Sequence, residues 1–148
     1  MNAKKILFPT DFSHLSDVAL HQATVLAKEA NALLMILHVE EPPVVYGEGA
    51  MYYGVPEPDQ AALQKMLENV KPTLDGVRFE HRMIYGDPAT EIVNMAKEEQ
   101  ADMIVMGTHG RSGLMRLLMG SVAEAVVRKA HCPVMSIKTP AQEPAHSS

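Results

Sequence analysis

Four short apolar runs punctuate the chain, at Ile6–Phe8, Leu33–Val39, Met103–Met106 and Val134–Ile137, and stretches with helical spacing separate them. Runs this short cannot be core helices. Because they do not alternate with polar residues, they suit strands covered on both faces. Between the first two runs, Val18, Ala23, Val25, Leu26, Ala27 and Ala30 recur at helical spacing over Ser16–Asn31. A second helix is expected from Asp59 through Ala61, Leu63, Met66, Leu67 and Val70, ended or kinked by Pro72. Val77, Phe79, His81, Met83 and Tyr85 alternate with Arg78, Glu80, Arg82 and Ile84, the period of a half-exposed strand at a sheet edge. Gly86-Asp87-Pro88 supplies a turn, an N-cap and a first-turn proline for a helix that buries Ile92, Val93 and Ala96. The last helix spans Ser121–Ala130. Five strands alternating with four helices call for one α/β domain: a mostly parallel sheet with helices on both faces. Ligands of such sheets bind beyond the carboxyl ends of the strands where the strand order reverses, which directs attention to the turns after the first and fourth strands.

Composition narrows the function classes. A chain of 148 residues with 47% apolar and 21% charged residues can bury a single core. Its net charge of −5 opposes a role that neutralises many nucleic-acid phosphates. Between Gly107 and Lys138, however, Arg111, Arg116, Arg128, Lys129 and Lys138 face only Glu124, a local +4 that suits a small anion. No run of eighteen apolar residues or secretory h-region occurs, so no membrane span or export is expected. Cys132 is the sole cysteine, which rules out an intrachain disulfide and favours a reducing, cytoplasmic compartment. The histidines show no metal-binding spacing, and no protein-built metal site is expected. Core filling accounts for Met35, Met103, Met106 and Met135 among the eleven methionines, while Met115 and Met119 lie beside the glycine-rich turn.

That turn reads Gly107-Thr108-His109-Gly110-Arg111-Ser112-Gly113 and closes at Gly120-Ser121, giving the spacing G-x2-G-x9-G-S. Gly107 and Gly110 are expected to turn with positive φ and to let an anion approach the backbone. Gly120 and Ser121 bring helix N-terminal N–H groups and a hydroxyl to the same point. An S-x-x-E capping box formed by Ser121 and Glu124 is the alternative that needs no ligand. A P-loop is excluded, because Gly49 and Gly54 are followed by Val55-Pro56 rather than Lys-Ser/Thr. A Rossmann site is excluded because Pro9-Thr10-Asp11-Phe12-Ser13 follows the first strand in place of G-x-G-x-x-G. The carboxylate of Asp11 is placed either to accept from a ribose or to order the next helix.

Pro9-Thr10-Asp11, the glycine spacing and Cys132-Pro133-Val134, taken together, resemble the universal stress protein family over nearly the whole chain. The resemblance implies the adenine-nucleotide alpha-hydrolase-like fold with strand order 3-2-1-4-5. Because the glycine motif is intact, it also implies the ATP-binding branch. Thr10 and Asp11, preceded by Pro9, then reach the adenosine end, and Val39 meets adenine through its backbone. Gly107, His109, Gly110, Arg111, Gly120, Ser121 and Val122 form the phosphate and ribose shell, with Met106 completing the cofactor-binding set. The expected cofactor is ATP, with magnesium, where present, held largely by the phosphates and water. The expected partner is a second copy joined through Val134–Ile137, in a regulatory or stress-response role. The enzymatic alternative is at most a weak ATP hydrolase: His109 is the only histidine in the turn, and no catalytic residue is assigned. ATP-pyrophosphatases share the fold but carry a Ser-Gly-Gly-x-Asp loop, which Thr10-Asp11-Phe12-Ser13 does not match. The expected boundaries are a nucleotide-binding domain at 1–138 and a disordered tail at 139–148. The proline- and glycine-rich stretch 40–58, with Tyr46, Tyr52 and Tyr53, is read as a loop that covers the nucleotide or meets a partner.

Overall fold

A computed structural model describes residues 3–42, 59–108 and 119–138. In chain order these form β1 (Lys5–Pro9), a 3-10 turn (His14–Ser16), α1 (Asp17–Ala30), β2 (Leu33–Glu40), α2 (Gln60–Glu68), β3 (Phe79–Tyr85), α3 (Pro88–Glu98), β4 (Met103–Gly107), α4 (Ser121–Lys129) and β5 (Val134–Ile137). The strands make one sheet in the order β3-β2-β1-β4-β5 with every neighbouring pair parallel. The expected architecture and strand order both hold.

The absence of alternation in the apolar runs has its cause in the two cores. Ile6, Phe8, Leu34, Ile36, Met103 and Val105 pack under Ala19, Ala23 and Ala27 of α1 and Leu67 of α2. On the opposite face Leu7, Met35, Leu37, Ile104 and Met106 pack under Ala89, Ile92 and Ala96 of α3 and Ala123 and Val126 of α4. Successive residues of each inner strand therefore enter different cores, and each must be apolar. Small alanines on α1 and α3 let those helices lie close to the sheet. β3, at the edge, is half-exposed, as its alternation indicates.

Local signals set most boundaries. Asn31 ends α1 in the left-handed conformation, φ 52°, and its N–H reaches the Ala27 and Lys28 carbonyls. Asp87 caps α3 by accepting from the Thr90 N–H at 3.0 Å and the Thr90 hydroxyl at 2.8 Å, with Pro88 at the first helical position. Gly86 has φ +154°, and a Cβ there would stand 2.8 Å from the Glu91 Cγ, so glycine is required. α2 ends at Glu68, short of Val70. Lys71 precedes Pro72, which disfavours helical backbone, and the Val70 carbonyl instead accepts from the His81 Nε2 at 2.7 Å. β2 runs one residue past the expected strand, so Glu40 is its last residue rather than the start of a loop. Residues 43–58, with the three tyrosines, and the tail 139–148 lie outside the described residues.

The carboxylate of Asp102, just ahead of β4, accepts from the Lys4 N–H at 2.8 Å and the Lys5 N–H at 3.0 Å, fixing the entry to β1. Those two N–H groups, aided by the charges of Lys4 and Lys5, hold its carboxyl below the ordinary aspartate value of 3.8. A lowered folded-state value means that the contribution is complete above 3.8 and is lost as pH falls through the lower value. Asp102→Asn should therefore cost about 0.5–1.5 kcal/mol at neutral pH, discounted for exposure. In urea denaturation its deficit should shrink towards zero as pH falls below 3.8 and through the lowered value, where the wild-type carboxyl also becomes neutral.

Candidate functional site

Strand order reverses between β1 and β4: from β1 the chain crosses to β2 on one side, and later returns to β4 on the other. The crossover helices α1 and α3 lie on opposite faces, so neither covers the carboxyl ends of these two strands. A crevice of about 340 Å³ opens there. Pro9, Thr10 and Asp11 line it from β1 and its following turn, Val39, Glu40 and Glu41 from the end of β2. Met106 and Gly107 enter from β4, Gly120, Ser121, Val122 and Ala123 from the start of α4. Every described residue of the expected site thus borders one crevice. His109, Gly110 and Arg111 lie outside the described residues, as do Met115 and Arg116.

At the head of α4, Gly120 is the N-cap with φ −63° and ψ 157°, and no side chain caps the helix. Ser121 is one residue too far along to act as the cap. The S-x-x-E capping box is therefore not formed, which overturns the alternative that needs no ligand. The Gly120 N–H donates to the Thr108 carbonyl at 2.8 Å, and the Gly120 carbonyl accepts from the Glu124 N–H at 3.0 Å. First-turn N–H groups have no carbonyl within their own helix, so those of Ser121, Val122 and Ala123 stand at the crevice with the positive end of the helix dipole. Thr108 also donates its N–H to the Ile137 carbonyl at 3.0 Å, which ties the α4 start to β4 and β5.

Gly107 departs from expectation. It is the last residue of β4, paired with Ile137, and is not among the positive-φ glycines. Strand pairing on the β5 side holds it extended. Its contribution is a missing side chain at the crevice edge rather than an unusual turn. Met119, beside the turn, packs against the core shared by α3 and α4.

The turn after β1 is held by its own side chains. Asp11 Oδ1 accepts from the Ser13 N–H at 3.0 Å and the Ser13 hydroxyl at 2.6 Å, and Thr10 Oγ1 accepts from the Phe12 N–H at 3.1 Å. These bonds hold Phe12 at φ 67°, an unfavourable conformation for an aromatic residue. α1 takes no side-chain cap, so Asp11 orders the turn and does not cap the helix. The Thr10 N–H continues the ladder to the Leu37 carbonyl at 2.8 Å, placing Asp11 beyond the strand end beside β2.

Reasoning from the sequence missed Ser16, Glu40, Glu41, Pro88, Ile92 and Ala123, all of which border the crevice. Pro88 and Ile92 carried helix-start and core signals, and only the packing of α3 against α4 brings them to the site. Ser16 hydrogen-bonds the Ser13 carbonyl at 2.7 Å and lies 3.3 Å from the Thr10 Oγ1, a closure that spacing alone does not reveal. Among the described residues, no group of three His, Cys, Asp or Glu side chains could hold a metal ion. No described helix is long and apolar enough to cross a membrane.

A five-stranded, parallel, doubly wound sheet with a crevice at its switch point and a helix N-terminus facing it defines a small α/β domain of the adenine-nucleotide alpha-hydrolase-like architecture. The chain belongs to the universal stress protein family, whose model matches residues 2–138. It is 41% identical to universal stress protein MJ0531 of Methanocaldococcus jannaschii, over 95% of this chain and 85% of that protein. The solved structure of MJ0577, from the same archaeon, superposes with a TM-score of 0.74 at 28% identity, covering 96% of this chain and all of the other. A universal stress protein solved in complex with cAMP matches with a TM-score of 0.69 at 26% identity, over 93% of this chain and 98% of that one.

Proposed function

We propose that this protein binds ATP in the switch-point crevice and acts as a nucleotide-dependent regulatory factor of the stress response. The observation that carries the reading is the uncapped start of α4 opposite the Thr10–Asp11 turn, two chemically different walls of one cavity. First-turn N–H groups and a helix dipole suit phosphate oxygens. Asp11 suits the ribose hydroxyls, and the Val39 backbone at the β2 end suits the adenine edge. A volume of about 340 Å³ falls at the lower end of the range, about 300–1,000 Å³, typical of small-molecule sites. The cAMP complex of a relative supports an adenine nucleotide as the ligand class. His109, Gly110 and Arg111 are assigned by their place in the motif to the phosphate and ribose shell. Magnesium would ride on the phosphates and water. Cys132 as sole cysteine supports a cytoplasmic setting.

The protein acts as a dimer in this reading, through β5. That strand is the outer one beside β4. Ile104 donates to the Pro133 carbonyl and Thr108 to the Ile137 carbonyl. Residues 133, 135 and 137 therefore face β4, and Val134 and Ser136 point their backbone groups outward, available to a second copy.

Mass spectrometry of nucleotide released from the purified protein, followed by calorimetric titration with ATP, tests the central reading; no bound nucleotide and no heat of binding defeat it. Asp11→Ala should weaken ATP by about 1.5–3 kcal/mol, the loss of a charged acceptor. Gly120→Asp should separate fold from function. An aspartate at this N-cap satisfies the first-turn N–H groups itself, so the melting temperature should hold or rise while ATP affinity drops at least tenfold. Ser136→Pro deletes an outward N–H and spares the ladder to β4, so sedimentation should show a folded monomer where the wild type is a dimer.

A further inference from the structure

His38 is buried in β2, its side chain 1% exposed, where the strand meets the Thr10–Asp11 turn. Its Nδ1 lies 2.8 Å from the Thr10 carbonyl oxygen. A carbonyl only accepts, so Nδ1 carries a hydrogen and donates it. Its Nε2 lies 2.8 Å from Glu40 Oε1. A neutral ring protonated at Nδ1 has only a lone pair at Nε2, and an ionised carboxylate has only lone pairs. Two acceptors do not rest 2.8 Å apart in a buried site, so this contact contains a further proton. Either an imidazolium donates to a carboxylate or a carboxylic acid donates to an imidazole, and in both forms the pair is neutral overall.

We infer that His38 is a positioning residue for the nucleotide-facing turn, and that it works as half of a proton-holding pair with Glu40. The inference rests on the proposed ATP site. Three features give it a direction. The Thr10 carbonyl bond pins the backbone immediately before Asp11, whose own side chain bonds Ser13. The Phe12 ring stacks on the imidazole with centroids 4.1 Å apart and planes tilted by 32°, so His38 also supports the residue whose backbone is strained. Finally, Glu40 and Glu41 border the crevice on the β2 side, near Asp11. Neutralising the first of these through His38 removes one negative charge from the approach of a polyphosphate. His81, two residues along the same face of neighbouring β3, is committed to the Val70 carbonyl and does not compete for this proton.

The test uses the ligand-free protein and ATP as probe. At neutral pH, nitrogen NMR of the His38 ring and carbon NMR of the Glu40 carboxyl should place a proton on Nδ1 and one more on either Nε2 or the carboxyl. A bare Nε2 beside an ionised carboxylate overturns the pair. By calorimetry, His38→Leu should weaken ATP about tenfold, the scale of one buried hydrogen bond and its geometry. His38→Asn keeps a donor near the Nδ1 position and should restore affinity to within about threefold of wild type. Wild-type affinity in a folded His38→Leu protein, or no recovery in His38→Asn, overturns the positioning role. Should His38→Leu not fold, the same threefold limit on His38→Asn against wild type decides. If the wild type itself binds no ATP, the ATP reading falls while the NMR proton count still judges the pair.

Discussion

A helix that begins on glycine leaves its first-turn N–H groups with no partner from its own side chains, and burial of that end without a partner is costly. In this fold α4 cannot shift to hide its start. Ala123 and Val126 are locked into the core beneath α3, and the Gly120 N–H is bound to Thr108, itself bound to β5. The helix end is thus held at the lip of the crevice, which Ser121, Val122 and Ala123 line. Had a serine or aspartate stood at position 120, its side chain would have capped the first-turn N–H groups and the crevice would have lost its positive wall.

The opposite wall has different physics. There the chain bends sharply between β1 and α1 without any glycine, and Phe12 takes up the left-handed conformation instead. Such a conformation persists only where neighbours over-determine it. Thr10, Asp11 and Ser13 supply the local bonds, and His38 supplies the long-range one. The strain is placed where a carboxylate must project past the end of a strand.

The fold was readable because the two cores impose a simple rule on the inner strands: each residue meets one core or the other, so a continuous apolar run is the only solution. Asp87-Pro88 marked α3 to the residue for an equally local reason, since cap and first-turn proline act within four positions. Gly107 resisted such reading. Spacing showed that a glycine was wanted but not whether for its φ or for its missing side chain, and only pairing with β5 decides this. The same limit hid Glu40 and Glu41. Their proximity to Asp11 comes from parallel pairing of β1 with β2, a contact between residues about thirty positions apart that no local pattern encodes.

His38 shows how one residue can satisfy a strand pattern and a site at once. In the apolar run Leu33–Val39 it interrupts the periodicity, and a polar side chain buried in a parallel strand must find partners for both ring nitrogens. The turn after β1 provides one and the end of β2 the other. Both partners stand at the carboxyl edge of the sheet because a parallel arrangement ends its strands on the same side, the side on which α4 also begins. His38 in the second strand, through Thr10, and Gly120 ahead of α4, far apart in the chain, therefore meet at the same crevice of about 340 Å³.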